Sequence, residues 1–182
     1  MAQNASPATD VPTREGGVIV ASDEQPNHDF DQYSTYSWSV QLQEPNSIFA
    51  LNDLVLKSRI ISDLAYEMEA RGYEQVASNP DLIVSFRVFD APTEFTGYEG
   101  FGTNYFGDEI REPEDRVRYK FDAGTLIVHL IDNKTDEVVW QGYASGLIDG
   151  NVFDLDKDEV AEAVHMVMDE YNYNAKGMAS NE

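Results

Sequence analysis

The chain has no cysteine. Disulfide frameworks, thiolate zinc sites and cysteine nucleophiles are excluded together, although this absence does not choose a compartment. Basic residues are scarce: 12 Lys and Arg stand against 34 Asp and Glu, a formal net charge of −22. Such a chain repels phosphate backbones, which argues against nucleic acid as a partner. It is repelled in the same way by an anionic lipid surface. The plain reading is a solvated acidic surface that keeps the protein soluble; a salty exterior would screen the self-repulsion. No run approaches the roughly 20 apolar residues that span a bilayer. Residues 1–15 lack the basic start and apolar core of a signal peptide. At 182 residues the length suits one compact domain. A chain of this size buries roughly 70% of its unfolded surface and needs no disulfide or metal to fold.

What is present is a sequence of short periodic segments. Residues 1–16 are small and polar and read as a flexible leader or tether. "VIVAS" (18–22) is a β-branched run and a first strand. "TYSWSV" (35–40) is a second, with Tyr36 and Trp38 on one face and Thr35, Ser37 and Ser39 on the other. Leu56, Ile60, Leu64 and Met68 recur at helical spacing and predict a helix over 53–71, capped by Asn52 or Asp53 and ended by Gly72. "YEQV" is a short strand. Asn79-Pro80 breaks the chain before "LIVSFRVF", where Leu82, Val84, Phe86 and Val88 should face the core. Residues 91–120 carry four glycines and two prolines, and five aromatics stand before Arg111, with no sustained period. They read as a long loop, functional or mobile. "DNKTD" joins two strands of a hairpin, with Leu126, Val128 and Leu130 on one face and Ile127, His129 and Ile131 on the other; Val138 and Trp140 continue the pattern on the return strand. Val160, Ala163, Val164, Val167, Met168 and Tyr171 predict a helix over 158–173. Residues 175–182 read as a polar tail. The order predicts an α+β fold: a largely antiparallel sheet of about 5–6 strands with two helices packed on one face, formed by a single domain at 17–174.

Chemical motifs are weak. His28, His129 and His165 have no short metal-ligand spacing. His129, between isoleucines, reads as a packed or interfacial histidine, and His165 as solvated. Asp154, Asp156 and Asp158 mimic the start of a calcium loop, but the sixth position is Glu159 and the twelfth His165, so helix capping is preferred. There is no G-x-S-x-G elbow, P-loop or dinucleotide fingerprint. Acidic pairs are too common here to point to glycosidase chemistry. No cofactor and no metal are expected.

"DFDQYSTYSW", "SDLAYEMEARGYEQVASNPDLIVSF", "GTLIVHLIDNKTDEVVWQGYASG" and "DEVAEAVHMVMDEY", in that order over residues 17–174, resemble the domain-of-unknown-function family numbered 4136. The set comprises Phe-x-x-Tyr-x-Thr-Tyr-x-Trp, the Gly-Tyr after the helix, the Asn-Pro-Asp-Leu strand entry, and the Gly-Thr-Leu strand ending in Val-Trp-x-Gly. That resemblance implies export, lipidation on a cysteine and residence in the cell envelope, periplasmic or anchored at the outer membrane. It implies no enzymatic activity and no catalytic residue. The lipid-bearing cysteine is not in this chain, so Met1 is read as an artificial start placed after it.

Four aromatics, Phe30, Tyr33, Tyr36 and Trp38, crowd the first of these segments. They are expected to anchor the strand to the core rather than to form a carbohydrate-stacking platform. The leading functional expectation is a non-catalytic binding or scaffold module whose partner is an envelope protein or a glycan, with contact to a membrane only through the lipid anchor. Two other readings are a glycan or small-ligand binder using the aromatic loop 95–106, and a hydrolase whose carboxylates converge in three dimensions. Tyr98, Phe101 and Tyr105 are the candidate binding residues.

Overall fold

The computed structural model describes residues 19–43, 54–89, 93–98, 116–121, 125–145 and 157–178. Eight strands lie within them: β1 (Ile19–Glu24), β2 (Thr35–Trp38), β3 (Glu74–Gln75), β4 (Leu82–Phe89), β5 (Thr93–Tyr98), β6 (Arg116–Phe121), β7 (Thr125–Asp132) and β8 (Glu137–Ser145). The helices are the single turn α1 (Val40–Gln43), α2 (Leu54–Ala70) and α3 (Lys157–Met168). A six-stranded sheet runs in the order β1-β8-β7-β4-β2-β3. The four strands from β1 to β4 are antiparallel neighbours, whereas β2 is parallel to both β4 and β3. Two parallel strands require a crossover, and α2 supplies it between β2 and β3. The fold is α+β, as expected, with a mostly antiparallel sheet.

Both helix stripes are buried. Leu56, Ile60, Leu64 and Met68 of α2 lie in one core with Val160, Ala163, Val164, Val167 and Met168 of α3. The sheet contributes Tyr36, Leu82, Val84, Phe86, Leu126, Val128 and Leu130. Val88, the last of the predicted core-facing set, is half-buried against that core. α2 ends as its sequence asks. Gly72 adopts φ +82, the Gly72 amide donates to Glu69 O at 2.9 Å and the Tyr73 amide to Met68 O at 3.0 Å. These are the two bonds of a Schellman motif.

Three expectations are corrected. Residues 93–98 and 116–120, placed in the long loop 91–120, instead belong with Phe121 to an antiparallel ribbon, β5 with β6. Irregular side-chain spacing hid strands whose partners are far apart in sequence. On β8, Trp140 pairs with Leu130 but Val138 pairs with Ile131. This β-bulge sends Val138 to the face away from the helices, so Val138 and Trp140 do not continue one pattern. Finally, α3 stops at Met168, and residues 175–178 are no free tail. The Ala175 amide donates to Arg71 O, the Lys176 amide donates to Tyr33 O, and Ala175 is buried. The leader 1–16, Asn52, Asp53, Asp154 and Asp156 lie outside the described residues.

Gly142 shows how tightly the layers meet. A Cβ there would lie 2.5 Å from Cη2 of Trp140 and 2.9 Å from Cγ1 of Val167. The indole of Trp140 therefore lies along its own strand over Gly142, and α3 rests on both. A strand glycine often marks such a close approach. Gly142 is outside the left-handed region, so substitution there tests packing alone. Gly142→Ala is expected to destabilise the fold by about 1–3 kcal/mol through overpacking. Leu64→Ala, which opens a cavity at a fully buried site, is expected to cost about 2–5 kcal/mol. Urea denaturation of the two variants against the parent chain measures both.

Candidate functional site

Polar side chains gather in three places. The first is one end of the sheet. The Asp81 carboxylate, at the entry to β4, accepts from the amides of Ser34 and Thr35 at 2.9 and 3.1 Å and from their hydroxyls at 3.1 and 3.0 Å, all on Oδ2. The Asn133 amide donates to Asp81 O at 3.0 Å. Asp132 closes β7 and accepts from the Lys134 and Thr135 amides on Oδ1. Its Oδ2 takes the Tyr33 hydroxyl at 2.6 Å. The Tyr33 hydroxyl has one proton, already donated to Asp132. His28, 2.5 Å away through Nε2, must therefore donate to it. Burial alone would raise the pKa of both aspartates. The hydrogen bonds outweigh it and hold both carboxyls below the usual carboxylate range. Burial and Asp132 together push the Tyr33 phenol far above its ordinary value.

Around this end the aromatics pack. Phe30 stacks on Tyr173 with ring centroids 4.1 Å apart and meets Tyr171 edge-on. Tyr171 touches Trp140 and shares a 2.9 Å hydroxyl contact with Tyr73. Phe30, Tyr33 and Tyr36 are buried and Trp38 is half-buried, edge-on to Tyr36. These four aromatics anchor the first part of the chain. Phe30 does so through Tyr171 and Tyr173, which follow α3 and which the sequence placed at the end of the predicted helix 158–173.

The second place is a polar row on the sheet face away from the helices. Register aligns Asp23 with Gln141, Gln141 with His129 and His129 with Ser85. His129 is fully buried. Burial, then the nearby Arg87 charge, push its imidazole down to about 3, against a smaller opposing effect of Gln141. It is therefore a neutral packed histidine at ordinary pH, as its setting between isoleucines predicted.

The third is a groove between α2 and α3 with a volume of about 380 Å³, open to solvent and lined by Asp63, Tyr66, Glu67, Ala161, Glu162, Val164 and His165. Residues 63, 66 and 67 share one face of α2 through i, i+3 and i, i+4 spacing. The lining is more apolar than polar. Tyr66 is 71% exposed. Glu67, nearly buried, holds the helices together: Oε2 accepts from Arg71 Nη1 at 2.6 Å and Oε1 lies 3.0 Å from His165 Nδ1. Arg71 also donates to Met168 O at 2.7 Å and Tyr171 O at 3.3 Å. A cation on these carbonyls ends α3 favourably. No sequence motif marks the groove, because α2 and α3 are brought together only by the shared core. His165 is exposed, as expected, yet it bonds Glu67.

Of the sequence-predicted binding residues, Tyr98 lies at the end of β5, paired with Arg116 of β6. Phe101 and Tyr105 lie outside the described residues. Among the described residues there is no cluster of three or more side chains able to hold a metal ion, and no helix is long and apolar enough to cross a membrane.

The sequence profile of DUF4136, a domain of unknown function, matches residues 20–173. The chain belongs to this family. The match takes in the aromatic segment, both major helices, the hairpin and the docked Tyr173. The fold is similar to that of a DUF4136 family protein from Bacteroides thetaiotaomicron, at 17% identity and a TM-score of 0.58 over 86% of this chain and 96% of that one. It is also similar to a PDZ domain protein from Parabacteroides distasonis, at 19% identity and a TM-score of 0.50. That likeness covers 88% of this chain but 37% of the longer protein. At such identities the likeness concerns the fold alone. No curated protein matches the chain.

The buried groups of this DUF4136 domain set its response to acid. A histidine whose folded pKa is depressed binds its proton in the unfolded chain first. Its contribution is thus present above the unfolded value, about 6.5, and is lost as pH falls towards the folded value, about 3. Stability should fall below about pH 6.5 with a slope of up to about 1.4 kcal/mol per pH unit from this group. His129→Asn should flatten that slope. The aspartates have the same sign at lower pH: their stabilisation is present above about 3.9 and is lost as pH falls through their lower folded values. Asp81→Ala, which leaves the Ser34 and Thr35 amides without their acceptor, is expected to cost about 1–3 kcal/mol at neutral pH. Urea melts from pH 7 to pH 3 check all three statements.

Proposed function

We propose that this DUF4136 domain is a non-catalytic binding or scaffold module of the cell envelope, exported and held at the membrane through a lipid anchor outside this chain. The observation that carries the binding role is the groove between α2 and α3: an open recess with a mostly apolar lining and an exposed tyrosine, on two helices joined by Glu67 to His165 and by Arg71 to the Met168 carbonyl. Rigid elements are good platforms for recognition. The polar groups with catalytic character support a structural role instead. Asp81 and Asp132 serve the end of the sheet, Glu67 serves the helix pair, and His129 sits neutral inside the sheet. The envelope setting follows from the resemblance read in the sequence, and the partner class remains an envelope protein or a glycan. A second candidate for contact is Tyr98, the last residue of β5, with Phe101 and Tyr105, which follow it in the sequence.

The test is photo-cross-linking in the cells that make the full-length protein, from a photoreactive phenylalanine at position 66, 98 or 101. The protein is expected in the envelope fraction, with a discrete adduct from at least one of these positions. Recovery in the cytoplasmic fraction would remove the envelope reading. Envelope recovery without an adduct from any position would remove the binding reading.

A further inference from the structure

We infer that the outer edge of β6 receives an extended segment of a partner protein as a third strand, one in which acidic and apolar residues alternate. This rests on the binding-module reading above and assigns the Tyr98 end of the domain its class of partner.

Phe89 of β4 faces Thr125 of β7, and four residues further along each strand Thr93 of β5 faces Phe121 of β6. β5 and β6 thus prolong the β4–β7 pair in one register. β8 ends beside the start of β7, with Ala144 opposite Leu126, and no described strand accompanies the ribbon beyond it. Among the described residues β6 pairs with β5 alone. A ribbon of two strands is marginally stable by itself, and an edge of unpaired backbone groups is a template for another strand.

The residues of β6 select the guest. Three of the chain's 12 Lys and Arg fall within this six-residue strand. Alternation places Arg116, Arg118 and Lys120 on one face of the ribbon and Val117, Tyr119 and Phe121 on the other. Glu94 stands opposite Lys120, whereas the two arginines stand opposite Tyr98 and Thr96. Charges on an edge strand often serve only to discourage pairing. In a chain of net charge −22 acids would do that, and a row of cations instead favours an acidic neighbour. Directly opposite residues of an added strand lie about 5 Å away, and each face of a strand repeats about every 7 Å. A segment that alternates acidic and apolar residues therefore sets an acid beside each cation on one face and an apolar residue beside Val117, Tyr119 or Phe121 on the other.

Other occupants fit less well. The β6 edge of a second copy sets cations against cations. The β1 edge of a second copy holds Asp23 and Glu24 at adjacent positions, hence on opposite faces. An anionic glycan meets the cations and leaves the backbone edge unpaired. An anionic lipid surface meets the acidic body as well and is repelled.

The probes are three fluorescent octapeptides: one alternating Glu and Val, one with the same residues in two blocks, and one alternating Lys and Val. Each is titrated into the full chain at physiological salt and followed by anisotropy and amide hydrogen exchange. The alternating Glu peptide is expected to bind at least about fivefold more tightly than either of the others and to protect alternate amides of β6. The long-range field of the chain favours the Lys peptide, so the opposite preference reports the local edge. Arg118→Glu should weaken binding by about tenfold or more, and Arg118→Gln, which removes the charge alone, by about threefold or more. Lys134→Glu, the same reversal on the exposed turn at the far end of β7, should alter it by less than about twofold. Circular dichroism confirms that each variant keeps the fold. The proposal is overturned if the alternating Glu peptide does not bind, or if the block or Lys peptide binds as tightly. It also falls if Arg118→Glu and Lys134→Glu weaken binding equally, or if the protected amides lie on β1 instead of β6. An adduct from position 66 in cells, together with no peptide binding here, would sink this inference while leaving the module reading standing.

Discussion

The Asp81 carboxylate on Ser34 and Thr35 is the contact from which the rest of the sheet is set out. β2 is the one strand that enters parallel to its long neighbour, and it makes few ladder bonds because it is short. Its register against β4 needs another constraint, since a slip of one residue would turn Tyr36 out of the core. Four hydrogen bonds to one carboxylate oxygen supply that constraint. Asp132 repeats the device on the next strand through Tyr33. Both work because a carboxylate that accepts several hydrogen bonds keeps its charge in a partly buried site. With β2 fixed, α2 must cross over the sheet to reach β3, and the helix layer follows.

The helix layer in turn depends on close approach at Gly142. Trp140 can lie flat over its own strand because that position has no side chain, and α3 settles on the indole through Val167. Beyond α3 the chain folds back, placing Tyr171 and Tyr173 against Phe30. The two ends of the domain are thus joined by stacked rings, while Arg71 joins the ends of the two helices through the Met168 carbonyl. These contacts stiffen the pair of helices whose outer side carries the groove.

Strong negative charge gives this molecule a broad repulsive field towards anionic partners and steers cationic ones. Such a field has no address of its own. Specificity has to come from a place where shape accompanies charge, and among the described residues the inter-helix groove brings an exposed aromatic together with apolar and acidic side chains of both helices.

Much of the fold was legible in the chain. The period of Leu56, Ile60, Leu64 and Met68, the alternation from Leu82 to Phe86 and the left-handed Gly72 are local properties, set by the pitch of a helix, the pleat of a strand and the conformational freedom of glycine. Family membership was legible too, because its aromatic and glycine positions recur in order along the chain. The remaining features depended on contacts between distant residues. The bulge at Val139 depends on how β8 meets β7, so alternation alone placed Val138 on the wrong face. β5 and β6 recognise each other across a long gap, and neither has a local pattern strong enough to announce a strand. Residues 175–182 looked like a polar tail, yet Ala175 is buried, because its amide reaches the Arg71 carbonyl and the Lys176 amide reaches that of Tyr33 in the folded state. The groove belongs to this second class. Tyr66 and Glu162 are unremarkable exposed residues on separate helices, and only burial of the two opposite stripes in one core sets them side by side.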